Sequence, residues 1–231
     1  MAKKRKTSLN KKRILRDDAF EGTRQTMSEF GRAGKASRWL CKTFKLARKN
    51  KSDRDAYARL TKVMLKLIHS DPVNGRGNRR PMKGESALLE GFNFNRYTSL
   101  QNAFRAPYTV MLNQNALRVT ITFPAFHARS MVETASGATA FRLTAIAASL
   151  NLEEYSSIAE PVETNIMDIN TDLRETMQLH VPIEGYDPAD LVFVALGIEL
   201  FRGVKGVYEP LDKKQNALAV VKAFPAVGVT H

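Results

Sequence analysis

Cysteine is almost missing from this chain. Cys41 stands alone, so no internal disulfide and no cysteine cage for a metal can form. Beside Lys42 its thiol is read as a buried, inert group on an apolar helix face rather than an activated nucleophile. No run of about 18 apolar residues occurs, so no membrane-spanning helix is expected. The opening stretch MAKKRKTSLNKKR has no apolar segment behind it, so a standard secretory signal is not expected either. The default expectation is a cytoplasmic protein, with release by a non-classical route left open.

Catalytic chemistry is equally thin. The four histidines are His69, His127, His180 and His231. None stands at a short ligand spacing from another histidine, cysteine or acid cluster, so no zinc site is expected. H-E-x-x-H and G-x-S-x-G do not occur. Glu153 and Glu154 are neighbours that would point to opposite faces of a strand, a poor acid–base pair. Glu199 interrupts an apolar run and is read as an outward or edge position in a strand. No catalytic residue, metal or cofactor is expected, and the chain is read as non-enzymatic.

Acid is scarce in the first part of the chain. Residues 1–100 hold 26 Lys/Arg against 9 Asp/Glu, whereas residues 101–231 hold 10 against 14. The net charge of +13 therefore comes wholly from the first hundred residues. Such asymmetry points to an anionic partner for that part, or to a solvated tail.

The pattern of apolar residues divides the chain. Residues 1–16 carry eight Lys/Arg and no acid, and are expected to form an extended, mobile basic arm. Residues 17–49 read as helix, with Asp17 and Asp18 offering a cap and GRAGKAS (31–37) offering small residues for close packing. Residues 52–69 read as a second helix capped by Ser52, with Tyr57, Leu60, Met64, Leu67 and Ile68 on one stripe and Lys62 and Lys66 toward the other side. Pro72 ends it. The two helices, over 17–70, are expected to form a hairpin. From Tyr108 the apolar period changes to two. Strands are expected over 108–112, 117–123, 140–150, 177–183, 191–202 and 217–224, with turns at NQNA, GVKG and PLDKKQN. The expected fold is α+β: a helical hairpin followed by an antiparallel β-sandwich, immunoglobulin-like or similar, over 105–231.

Between the two parts, residues 71–104 read as a Gly/Arg-rich connector and a first strand. The loop DPVNGRGNRRPMKGESALLEGFNFN lacks the Gly-Lys-Ser/Thr of a Walker loop, and after Gly75 and Gly77 the position a G-x-G-x-x-G motif needs is Arg80. Arg76, Arg79 and Arg80 could grip an anion through their guanidinium forks; a solvated basic turn is the plainer alternative. Phe92 and Phe94 share a face and are read as core.

The ordered series RDDAFEGTRQTMSEFGRAGKASRWL, KLIHSD, GRGNRR, LLEGFNFN, FVALGIELFR and NALAVVKA resembles a family of uncharacterised proteins of similar size from Bacteroidota. The resemblance spans about residues 8–223. It implies helices first and a β-rich domain second, and no activity. Members of that family often carry an aromatic, strand-like segment ahead of the region matching KKRILRDDAF, where this chain has MAKKRKTSL.

Three functional readings follow. The first is a structural or assembly protein that self-associates or docks through its basic arm and helices. The second is a nucleic-acid-binding or coat-like packaging protein. The third is an enzyme or carbohydrate-binding module on the β-domain loops. Candidate anion- or partner-binding residues are Lys3, Lys4, Arg5, Lys6, Lys11, Lys12, Arg13 and Arg16 in the arm, with Arg76, Arg79 and Arg80 in the loop. Residues 1–13 bury almost nothing. Deleting them is expected to leave the melting temperature nearly unchanged and to weaken association or anion binding, most at low salt. A much lower melting temperature for the truncated monomer would show the arm to be part of the core.

Overall fold

Eleven strands and five helices make up the described residues, 11–134, 137–154 and 158–227, of the computed structural model. The helices are α1 (Lys11–Arg16), α2 (Glu21–Thr43), α3 (Ala56–His69), and the single turns α4 (Leu100–Ala103) and α5 (Ala128–Met131). The strands are β1 (Thr109–Asn113), β2 (Arg118–Phe123), β3 (Phe126–His127), β4 (Ala140–Leu150), β5 (Val162–Glu163) and β6 (Met167–Asp168). They continue with β7 (Asp172–Leu173), β8 (Met177–Pro182), β9 (Leu191–Val204), β10 (Val207–Pro210) and β11 (Ala217–Phe224). The chain is thus mixed α and β, with helices ahead of antiparallel sheets.

The two longest strands, β4 and β9, pair antiparallel along their length, from Ala140↔Phe201 to Leu150↔Leu191. β5 and β6 line the far edge of β4, and β10 and β11 line the far edge of β9. A second sheet, in the order β1-β2-β8, packs on one face of this sheet. Val119, Ile121, Phe123, Leu179 and Val181 from the small sheet share one apolar cluster with Phe141, Leu143, Val194 and Leu196 from the large one. The opposite face carries Ile146, Ala148, Leu150, Phe193 and Ala195, which meet Ala36, Leu40, Leu60, Met64 and Leu67 of the helices. Three layers result, with the six-stranded sheet in the middle. This explains why β4 and β9 read as nearly unbroken apolar runs where the strands of the small sheet alternate: a strand covered on both faces has no side for water.

The helical layer forms for local reasons. α2 turns Ala33, Ala36, Ser37 and Leu40 inward, all fully buried, so the small residues of 31–37 set a close approach to the sheet and α3. The helical run ends at Thr43, and the following turns finish at Asn50, whose φ of 61° is left-handed. α3 starts at Ala56, later than expected. Ser52 does not cap it, because the Asp53 carboxylate instead gathers Asp55 N, Arg96 N and the Arg59 guanidinium.

Two local expectations need correction. The arm is not extended through Arg16: Lys11–Arg16 is helical. Arg13 reaches Asp17 one turn on (3.2 Å), and Arg24 donates to the carbonyls of Ile14 and Asp17, closing the end of α1. Residues 1–10, with Lys3, Lys4, Arg5 and Lys6, lie outside the described residues. Phe92 and Phe94 are core, 8% and 0% exposed, but begin no full strand. Asn93 makes one bridge, to Ala219, while Gly91 and Phe94 donate to Val220 and Leu218 of β11 and Val220 donates back to Phe92. The ladder stops there because the side chains of Asn93 and Asn95 leave to bind Leu100 N and the 213–216 turn.

Gly84 marks the tightest approach of the connector to the helices. A Cβ there would lie 2.0 Å from the Leu67 carbonyl oxygen, a backbone atom that cannot step aside. Gly84→Ala is therefore expected to cost about 3 kcal/mol, the upper end for overpacking, read as a lowered midpoint in chemical denaturation. A wild-type midpoint would show that the loop does not seat on α3 as described.

Candidate anion-binding surface on the helical layer

Charges in this molecule fall into two populations. One is buried and saturated. Glu199 is 2% exposed on the central strand β9, not at an edge and not outward, which corrects the expectation for it. It sits opposite Arg142 of β4 and accepts its guanidinium at 2.7 Å. The Asn50 amide donates to its other oxygen (3.2 Å), and Lys51 Nζ lies 3.7 Å away. Glu163 completes the group, 3.0 Å from Arg142 and hydrogen-bonded by Thr144. Both cations face both carboxylates, so the cluster is neutral. Burial pushes the Glu199 carboxyl up, but Arg142, Lys51 and Asn50 outweigh it and hold the group below its usual range. Burial also lowers the Lys51 ammonium, against the pull of Glu199 and Glu163. The cluster pins the α2–α3 tip to the sheet.

A second buried group organises the loop. Glu29 of α2, 2% exposed, accepts Gly77 N at 2.7 Å and lies 3.2 Å from His69 Nε2 and 4.0 Å from Arg79. Arg32 donates to the carbonyls of Gly77 and Arg79. Asp71 accepts from the backbone of Val73, Asn74 and Arg80. Burial raises its carboxyl, yet Asn74 and those amides together hold it below the usual range. The loop thus folds around two acids of its own and of α2. Its arginines go to separate partners: Arg76 to Thr26 (3.1 Å), Arg79 to Glu29, Arg80 to Glu153 (2.8 Å). They do not converge on one anion cradle. Of the arm residues, Arg13 pairs with Asp17, Arg16 is exposed, and Lys11 and Lys12 open α1.

The second population is exposed. With α2 and α3 turning their apolar stripes to the sheet, Lys35, Arg38 and Lys42 of α2 and Lys62 and Lys66 of α3 lie on the outward faces, all exposed. Among the described residues, Lys35, Arg38, Lys62 and Lys66 enter no ion pair. Lys62 and Lys66 stand four apart, a like-charge spacing that costs a helix about 0.2–0.5 kcal/mol. A pair that carries this cost with no ion pair among the described residues is suited to a partner that brings negative charge. The outward position of Lys62 and Lys66 was legible in the α3 stripe; Glu29, Lys51 and Asp71 were missed, and Lys51, in the polar run RKNKSD, gave no signal of burial.

The chain matches no protein-family model, no curated protein and no solved structure.

Glu199→Gln is expected to cost about 3–5 kcal/mol, because Lys51 and Arg142 are then left with Glu163 alone between them and the cluster keeps one unmatched positive charge. The pH dependence has a definite sign. Glu199, Asp53 and Asp71 all have lowered carboxyl values in the folded state, Asp53 through Arg59 and backbone amides acting against its burial. Their stabilisation is present above the ordinary carboxylate range and is lost as pH falls through the lowered values. Urea denaturation from pH 7 to 3 should show stability falling on the acid side, with a shallower fall for Glu199→Gln. Equal acid limbs would show that Glu199 is not ionised in the fold.

Proposed function

We propose that the protein is a non-enzymatic docking or assembly protein whose helical layer binds a polyanion, with nucleic acid as the partner. The observation that carries this is the set of exposed cations on the two helices, Lys35 and Arg38 of α2 and Lys62 and Lys66 of α3, without ion pairs among the described residues while interior charges are matched. The basic arm adds to the same charge, with Arg16 exposed beside α2. We read the β region as a sandwich, which the apolar layer shared by the two sheets supports. Kinship with the Bacteroidota proteins it resembles is part of the same reading, supported by the order of the motifs.

Self-association is a second reading with its own observation. The far edge of β1, Thr109–Asn113, has no backbone partner among the described residues and carries no charge and no proline, and Met111 on it is 69% exposed. An edge of that kind accepts another strand.

Light scattering at low and high salt, with and without a nucleic-acid duplex, separates the two. We expect a complex that forms at low salt and dissolves at high salt. The variant with Lys35, Arg38, Lys62 and Lys66 all changed to Gln should lower the slope of log K against log salt by about 3.6, at roughly 0.9 per lost phosphate contact. No complex at low salt would sink the polyanion reading; a salt-stable oligomer without nucleic acid would favour the β1 edge.

A further inference from the structure

At the tip of the helical hairpin lies a polar groove of about 200 Å³. Ser52–Asp55 form one wall, Asn95–Tyr97 the second, and Lys213 with Lys214 the third. The walls are fixed from within. Asn95, 3% exposed, donates its amide to the carbonyls of Lys213 (2.9 Å) and Asn216 (2.7 Å). Thr98 donates to the Lys214 carbonyl (2.8 Å), and Asp53 accepts Arg96 N (2.7 Å). The turn that carries the two lysines is thereby held through its backbone, and neither ammonium group enters an ion pair among the described residues.

Two cationic heads, those of Lys214 and Arg96, meet an aromatic ring. Tyr97 is 60% exposed. Lys214 Nζ lies 5.3 Å and the Arg96 guanidinium carbon 5.8 Å from its ring centre. Arg96 shares Asp55 at 3.0 Å on the open surface. Arg54, Lys213 and Lys214 enter no ion pair among the described residues. A solvent-facing tyrosine alone would be ordinary. A tyrosine set in a rigid polar frame, with three unneutralised cations on the rim, has the two parts a single strand needs: a ring for the base and positive charge for the phosphate.

The geometry points to this groove as a subsite for one unpaired nucleotide of a single-stranded nucleic acid, the base stacked on Tyr97 and its phosphate held by Arg54, Lys213 and Lys214. The inference rests on the polyanion reading and deepens it: a base inside a duplex is not free to stack on a protein ring, so this groove selects unpaired strand.

Fluorescence anisotropy on the full chain tests it, with a labelled oligothymidylate and an abasic oligomer of the same length and charge. The wild type should bind the oligothymidylate more tightly. Tyr97→Ala should weaken that binding roughly tenfold and leave the abasic oligomer unaffected, while Tyr97→Trp restores the preference. Lys213→Gln with Lys214→Gln should weaken both. Equal binding of the two oligomers by wild type, or an unchanged preference in a folded Tyr97→Ala, overturns the subsite. If that happens while the four-Gln variant of the helical face loses binding, the polyanion reading stands alone; if wild type binds neither oligomer at low salt, both fall.

Discussion

The β4–β9 pair is buried on both faces, and most of the architecture follows from that one constraint. A strand pair with no solvent face must be apolar throughout, needs a cover on each side, and cannot carry a lone charge. The small sheet covers one side through Val119, Ile121 and Phe123, and the helices cover the other through Leu40, Leu60 and Met64. Where charge does enter, at Glu199 and Arg142, it arrives as a cross-strand pair and is completed by Lys51 from the hairpin tip. Gly197 makes room for this: a Cβ there would meet the Lys51 stem at 3.1 Å and the Ala217 carbonyl at 2.8 Å.

The same contrast organises the electrostatics. Interior charges at Glu29, Asp53, Asp71 and Glu199 are each surrounded by donors that the fold itself supplies. Lys35, Arg38, Lys62 and Lys66 of the helices and Arg54, Lys213 and Lys214 of the tip groove enter no ion pair among the described residues. Burial forces neutralisation, because an unpaired charge away from water is costly; exposure does not, because water screens the excess. The excess positive charge is therefore free to be spread where a partner can reach it.

Much of the fold was legible in the chain. Period-two alternation in Leu117–Phe123 and Met177–Ile183 placed β2 and β8, and the apolar runs at 140–150 and 191–202 placed β4 and β9 nearly to the residue. Helix boundaries were less legible: Ser52 read as the cap of the second helix, but the Asp53 carboxylate, held by Arg59 and the backbone of Arg96, took over the helix start. Glu199 was misread for a similar reason. Alternation says which face a side chain takes; it does not say that a lysine from the α2–α3 tip will be waiting on that face. The Tyr97 groove was hidden altogether, since its three walls come from segments far apart in the chain.

Residues 91–94 close the free edge of β11, and β11 also supplies Leu218 and Val220 to the cluster under the helices. During synthesis the hairpin emerges long before that strand. Until β11 is made, α2 and α3 have only part of the surface they are shaped to cover, and their apolar stripes stay partly wet. The helical layer is therefore first in the chain but last to become secure, and a ribosome must translate nearly all of the described sequence before either layer can hold the other in place.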